Sequence, residues 1–75
     1  MIEKKVFSVF KKILDLNQEE LNINLNINNC EKWDSTAHLN LIFSIEEEFD
    51  ISFSDKDISD LDSLNKIIDF VKKNK

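Results

Sequence analysis

Ser35 is the residue whose type and position point most clearly to chemistry. It lies in Trp33-Asp34-Ser35-Thr36-Ala37-His38-Leu39, where an Asn-rich polar stretch gives way to a strongly amphipathic helical pattern. A serine at such a helix start can cap the helix with its hydroxyl. If the hydroxyl is left free, it is a candidate attachment point for a covalent prosthetic group.

Cys30 and His38 offer a second kind of chemistry, because an imidazole can deprotonate a thiol within hydrogen-bond reach. The sequence supplies neither an obvious third group to orient the histidine nor a glycine-rich oxyanion turn. His38 also falls on the apolar stripe of its helix, which is typical of a partly buried structural histidine. We therefore predict no catalytic residues and a protein that is not an enzyme.

The segment Asp55-Lys56-Asp57-Ile58-Ser59 resembles the opening of a calcium-binding loop. The glycine required at the sixth position of that loop is Asp60, and the closing glutamate at the twelfth is Lys66. The sequence therefore predicts no metal site.

The length and composition limit the chain to a simple architecture. At 75 residues it has room for one small domain, residues 1–75, with a core too modest to enclose a catalytic pocket. The sequence contains no Gly and no Pro, so turns that need a positive φ must use Asn or Asp. Lys and Ile are the commonest residues, and the good helix formers Lys, Leu and Glu are all frequent, which favours an all-α fold.

Four helices are predicted from apolar residues spaced three and four apart. The first ends near residues 15–17, the second starts at Asp34 or Ser35 and runs to about Phe49, a short third covers residues 55–61, and Ser63 caps the fourth. The core-facing stripe of the second helix consists of His38, Leu41, Ile42, Ile45 and Phe49. That of the fourth helix consists of Leu64, Ile67, Ile68 and Val71.

The segment between the first two helices carries a misleading pattern. Leu21, Ile23, Leu25 and Ile27 alternate with asparagines, and strict alternation usually indicates a strand. A lone strand would have no partner elsewhere in the chain. We therefore predict a long loop that inserts apolar side chains into the core.

The segment Trp33 to Phe49, WDSTAHLNLIFSIEEEF, resembles the start and body of the second helix of acyl carrier proteins, and the similarity extends over almost the whole chain. The resemblance implies a four-helix bundle, three helices long and one short, with a long loop between helices 1 and 2. It also implies that Ser35, preceded by Asp34, carries 4'-phosphopantetheine, whose thiol holds an acyl group as a thioester. Thr36 departs from the commonest motif, Asp-Ser-Leu. Trp33 and His38 recur in a subset of carriers, many of them dedicated to specialised pathways rather than bulk fatty-acid synthesis. The resemblance therefore implies a role in fatty acid or polyketide biosynthesis, or in a more specialised pathway.

The resemblance also implies partners. These are a phosphopantetheinyl transferase and the enzymes with basic docking surfaces that load and process the cargo. The carrier itself is expected to be a monomer. Asn40 stands where many carriers have Glu. The surface expected to meet these partners consists of Thr36, Leu39, Asn40, Phe43, Glu46 and Glu47.

A literal Asp-Ser-Leu also occurs at Asp62-Ser63-Leu64. Ser63 lacks the long preceding loop and the acid-rich helix that surround Ser35, and the apolar stripe after it must close the bundle. Capping is therefore the expected role of Ser63.

The net charge of −5 is unevenly distributed, with lysines near both ends of the chain and acids concentrated in residues 34–62. Such an acidic region repels nucleic acid and anionic lipid and attracts basic protein surfaces. No apolar run approaches the length of a membrane span, no apolar leader follows Met1, and Cys30 is the only cysteine. The sequence predicts a cytoplasmic protein without membrane insertion.

Two alternatives remain open at this point. An aminoacyl carrier of the D-alanyl type would use the same attachment chemistry, since the loading enzyme chooses the cargo. A small acidic helical adaptor without any prosthetic group would use Ser35 only as a cap.

Overall fold

The computed structural model describes residues 2–74, which form four helices joined by loops. These are α1 (Ile2–Ile13), α2 (Ser35–Phe49), α3 (Asp55–Asp60) and α4 (Leu64–Lys73). Within this described range no strand forms, and pairing is limited to one isolated antiparallel bridge between Asn26 and Ser63. The predicted all-α bundle, with three long helices, one short helix and a long first loop, is confirmed.

One continuous hydrophobic core holds α1, α2 and α4 together. α1 contributes Val6 and Phe10 to it, and both side chains are fully buried. The predicted stripes of α2 and α4 face the same core, except that His38 is only half-buried. Its remaining buried members are Leu14, Leu16, Leu25, Trp33, Leu41, Ile42, Ile45, Phe49, Phe53, Leu61, Leu64, Ile67, Ile68 and Val71.

Two aspartates take the left-handed conformation that the absence of glycine demands. Asp15 has φ 52° just after α1, and Asp50 has φ 54° at the end of α2. At each position the next residue donates its N–H to a carbonyl five residues back, from Leu16 to Lys11 and from Ile51 to Glu46. α1 thus ends at Ile13, slightly before residues 15–17 where the sequence places its end.

The long loop, residues 14–34, is irregular but firmly attached. Leu25 is buried as predicted, whereas Ile23 is 44% exposed, so the alternating pattern overstated how many apolar side chains enter the core. The loop also meets the connection between α3 and α4: Ile27 donates its N–H to the Asp62 carbonyl at 2.9 Å, and Leu64 donates to the Leu25 carbonyl at 3.0 Å.

α3 is the least anchored helix. It has no fully buried residue of its own, although Ile58 is half-buried against the core. A capping box starts it, with Ser54 and Asp57 each accepting the other's backbone N–H at 3.1 Å.

Candidate functional site

At the start of α2 one residue caps the helix and the next residue is exposed. Asp34 is the N-cap residue, and its Oδ1 accepts the backbone N–H of Ala37 at 2.8 Å. Ser35 is the first residue of the helix, is exposed, and makes no side-chain hydrogen bond within residues 2–74. Because the aspartate caps the helix, the serine hydroxyl remains available at the surface.

Ser63 has the opposite arrangement. The Oγ of Ser63 accepts the backbone N–H of Lys66 at 3.2 Å. Ser63 is half-buried and forms the isolated bridge with Asn26. The capping role predicted for Ser63 is confirmed, and its hydroxyl is already engaged.

Trp33 and His38 flank Ser35 and contact each other. Trp33 is 2% exposed and donates its indole N–H to His38 Nδ1 at 2.9 Å. The other imidazole nitrogen, Nε2, lies 2.7 Å from the carbonyl oxygen of Ile58 in α3. The sequence pointed to both Trp33 and His38 but not to a contact between them, and a main-chain carbonyl 20 residues away leaves no sequence signal.

Cys30 is half-buried in the loop that leads to this site. Its carbonyl accepts the backbone N–H of Trp33 at 3.0 Å. Both ring nitrogens of His38 are engaged by Trp33 and Ile58, so the imidazole has no free nitrogen with which to activate the thiol.

The exposed face of α2 mixes apolar and polar side chains. Leu39 is 44% exposed and Phe43 is 57% exposed, as the sequence predicted for this face. Thr36, Asn40 and Glu47 are also exposed beside them.

Glu46, expected on the same surface, has a second role. It is half-buried, and its Oε2 accepts the backbone N–H of Phe53 at 2.9 Å. This bond holds the loop between α2 and α3, so only part of the carboxylate is available to a partner.

The two acids that follow Glu46 lie on the side of α2 that faces α1. Glu47 and Glu48 line one wall of an open groove of about 590 Å³, and Lys5 and Lys12 of α1 line the other. The charge of the molecule is thus divided between a basic α1 and an acidic α2.

The titratable groups with shifted pKa values lie in ion pairs away from Ser35. A hydrogen bond from Lys66 lowers the pKa of Asp62, and a hydrogen bond from Lys72 lowers the pKa of Glu3. Across residues 2–74, no three His, Cys, Asp or Glu side chains come together to hold a metal ion.

The surroundings of Ser35 fit a phosphate-linked group. The first N–H groups of a helix have no intrahelical acceptors, and the helix dipole places partial positive charge there, so an anionic phosphodiester is favoured at this end. The first turn of α2 contains no acidic residue, the carboxylate of the adjacent Asp34 is bonded to the Ala37 N–H, and the exposed hydroxyl leaves room for a large substituent.

Comparison with known proteins gives one consistent result. A family model described as "Phosphopantetheine attachment site" matches residues 4–71. An acyl carrier protein of Buchnera aphidicola subsp. Schizaphis graminum is 39% identical over 70 residues, covering 93% of this chain and 89% of that protein. The acyl carrier protein of Buchnera aphidicola subsp. Acyrthosiphon pisum (strain Tuc7) is 32% identical over 96% of this chain and 90% of its own length. One from Cyanidium caldarium is 30% identical over 93% of this chain and 81% of its own length.

None of the helices within residues 2–74 has the length and apolar character needed to cross a membrane.

Proposed function

Because this chain belongs to the acyl carrier protein family, whose members bear a covalent 4'-phosphopantetheine, we propose that Ser35 is the residue to which the group is attached. The observation that carries the proposal is the division of roles at the start of α2. Asp34 caps the helix, so the adjacent Ser35 hydroxyl is exposed and uncommitted.

The proposed attachment is a phosphoryl transfer from coenzyme A. Ser35 Oγ attacks the β-phosphorus of the pyrophosphate, an O–P bond forms, and the bond to the α-phosphate breaks to release adenosine 3',5'-bisphosphate. The hydroxyl proton passes to a base of the transferase, since no acidic or basic side chain within residues 2–74 bonds to Ser35. Once attached, the group supplies a thiol on a long arm that holds acyl cargo as a thioester.

The test is the intact mass of purified protein before and after incubation with coenzyme A and a promiscuous phosphopantetheinyl transferase. We expect a gain of one phosphopantetheinyl mass in the wild type and in Ser63→Ala, and none in Ser35→Ala. Peptide mapping should place the gain on the Ser35 peptide. A modified Ser35→Ala variant, or an unmodified but folded wild type, would contradict the proposal.

We further propose that partner enzymes dock on the exposed face of α2, with Leu39 and Phe43 as apolar contacts and Glu47 as a charged one. Thr36, Asn40 and Glu46 complete the surface. Exposed apolar side chains beside acids suit a partner with a basic surface around an apolar pocket.

Two exposed apolar residues allow a matched test of docking. Phe43→Ser should raise the KM of the transferase for this protein, whereas Ile23→Ser, in the first loop, should leave it unchanged. Phe43 is 57% exposed and Ile23 is 44% exposed, so both substitutions remove surface rather than core. Equal KM values for the two variants would show that Phe43 is not part of the docking surface.

The cargo is proposed to be an acyl group of a specialised biosynthetic pathway. Trp33 and His38 recur in carriers of such pathways. Their hydrogen bond supports treating the two residues as one feature. The modified protein should be loaded by an acyltransferase from an acyl-coenzyme A donor. Loading instead by an ATP-dependent ligase with an amino acid would establish the aminoacyl alternative, and efficient elongation by enzymes of bulk fatty-acid synthesis would exclude the specialised role.

A further inference from the structure

We propose that Trp33, His38 and the Ile58 carbonyl form a hydrogen-bonded clamp that fixes the backbone presenting Ser35, with His38 as a positioning residue. The inference rests on the proposed attachment at Ser35. Its geometry consists of two short contacts through one imidazole, 2.9 Å from Trp33 Nε1 to His38 Nδ1 and 2.7 Å from His38 Nε2 to the Ile58 oxygen.

The chemistry of the two contacts fixes the proton on His38. An indole nitrogen can only donate a hydrogen bond, so Nδ1 must be the unprotonated acceptor. A carbonyl oxygen can only accept, so Nε2 must carry the proton. The clamp therefore exists only with neutral His38 in the Nε2–H tautomer.

The buried indole of Trp33 also packs against an aromatic ring of α1. The ring of Trp33 meets the ring of Phe10 edge-on, with centroids 5.1 Å apart and an interplanar angle of 81°. The planes of the indole and the imidazole are inclined by 26° with centroids 5.9 Å apart, so the two rings lie side by side, as their Nε1–H···Nδ1 hydrogen bond requires. Because Phe10 is a fully buried residue of α1, the clamp ties α1, the start of α2 and α3 together.

Ser35 lies inside the segment that the clamp closes. The Trp33–His38 bond joins the second residue before Ser35 to the third residue after it, and the His38 backbone N–H donates to the Asp34 carbonyl at 2.8 Å. The residues on both sides of the serine are thus fixed while the serine remains exposed. A transferase then docks on an ordered segment and loses less conformational entropy on binding, which lowers KM more than it raises kcat.

Three substitutions separate the two hydrogen bonds. Trp33→Phe removes the indole donor and keeps an aromatic ring against Phe10. His38→Gln keeps an N–H donor near the position of Nε2 and loses the acceptor for Trp33. His38→Asn keeps an oxygen acceptor near the position of Nδ1 and loses the donor to Ile58. Ile67→Val, in the core face of α4, is the control for a general loss of stability.

The first measurement needs no transferase. Nitrogen-15 NMR of the unmodified protein near neutral pH should show His38 as the Nε2–H tautomer. Hydrogen exchange at the Ala37 and His38 amides should speed up in Trp33→Phe and His38→Gln relative to the wild type. A protonated or Nδ1–H imidazole, or unchanged exchange in both variants, would overturn the clamp.

The second measurement is the steady-state rate of phosphopantetheinyl transfer from coenzyme A. Trp33→Phe and His38→Gln should each raise KM about fivefold with kcat nearly unchanged, the effect of losing one net hydrogen bond. The double variant should be no worse than Trp33→Phe, because both changes remove the same bond. His38→Asn should raise KM less than His38→Gln does, because it keeps the bond that closes the segment around Ser35 and loses only the tie to α3.

Several results of the transfer assay would overturn the inference. These are an unchanged KM in the folded His38→Gln variant, equal losses in His38→Asn and His38→Gln, or the same loss in Ile67→Val. A wild type that is not modified at Ser35 would refute the proposed function instead, and the tautomer and exchange measurements would still decide whether the clamp exists.

Discussion

At the scale of single residues, aspartates perform tasks that serine or glycine performs elsewhere. Asp34 caps α2 and leaves Ser35 uncommitted, while Asp15 and Asp50 adopt the positive φ that ends α1 and α2. The absence of glycine predicted the second use, since Asn and Asp are the residues that best tolerate this conformation. Which of the neighbours Asp34 and Ser35 would cap the helix was not decided by the sequence.

The left-handed conformation of Asp50 leads to a stability prediction. Asp50→Gly should raise the free energy of unfolding by roughly 0.5–1 kcal/mol, because it relieves the Cβ clash and removes a negative charge from the C-terminus of α2. Urea unfolding measures the change.

Asp50→Ala is the matched control, since it removes the same charge but keeps a Cβ. It should be less stable than Asp50→Gly. Equal stability of the two variants would mean that the conformation costs nothing and that charge alone matters.

At the scale of elements, the helices differ in how they are held. α1, α2 and α4 share the buried core, whereas α3 is attached through half-buried Ile58, its carbonyl contact to His38, and the bond from Phe53 to Glu46 that holds the preceding loop. At the surface, α1 and α4 are further joined by an ion pair of 2.7 Å between Glu3 and Lys72.

The pair between α1 and α4 predicts a pH dependence. The hydrogen bond from Lys72 lowers the pKa of Glu3, and the same bond raises the pKa of Lys72. The contribution of Glu3 is therefore present above the ordinary pKa of a glutamate and is lost as pH falls through its folded-state pKa. The contribution of Lys72 is present below the ordinary pKa of a lysine and is lost as pH rises through its folded-state pKa.

Lys72→Met should therefore be slightly less stable than the wild type at pH 7, and the difference should vanish in strong acid, where Glu3 is protonated. Urea unfolding at the two pH values measures it. Lys73→Met, which removes a neighbouring exposed lysine that forms no ion pair within residues 2–74, corrects for the change in net charge. A difference that persists in acid would show that the pair is not its source.

At the scale of the whole molecule, a compact bundle with a Cα radius of gyration of 11.1 Å separates its charges. α1 presents four lysines, and residues 34–62 carry nine of the 15 acids against one lysine. Beside the acids, the exposed side chains of Leu39 and Phe43 provide an apolar surface. This is the surface on which we propose that partner enzymes dock.

The charge distribution predicts salt-sensitive association. The rate of association with a basic transferase should fall as ionic strength rises, because screening shortens the range of attraction. Glu47→Lys should lower that rate and flatten its salt dependence, and stopped-flow fluorescence can measure both.

Glu19→Lys, an exposed change in the first loop, is the control with the same change in net charge. If it slowed association as much as Glu47→Lys, net charge rather than the α2 surface would govern the encounter.

The sequence by itself determined the helices, their buried stripes, the use of Asn or Asp in turns of positive φ and the serine at the start of α2. These features depend on local spacing and on the backbone preferences of single residues, which short segments express. It also indicated a loop where alternation favoured a strand, because it showed no second strand, although the folded loop does form one bridge with the connection between α3 and α4.

Only the tertiary structure decided how the polar groups are paired. Asp34 rather than Ser35 caps α2, Glu46 bonds the backbone of Phe53, and His38 bridges Trp33 and a carbonyl 20 residues away. Such pairings depend on which donor and acceptor meet after the core has packed. A main-chain carbonyl looks the same at every position of a sequence, so its partner becomes identifiable only when the fold brings the two together.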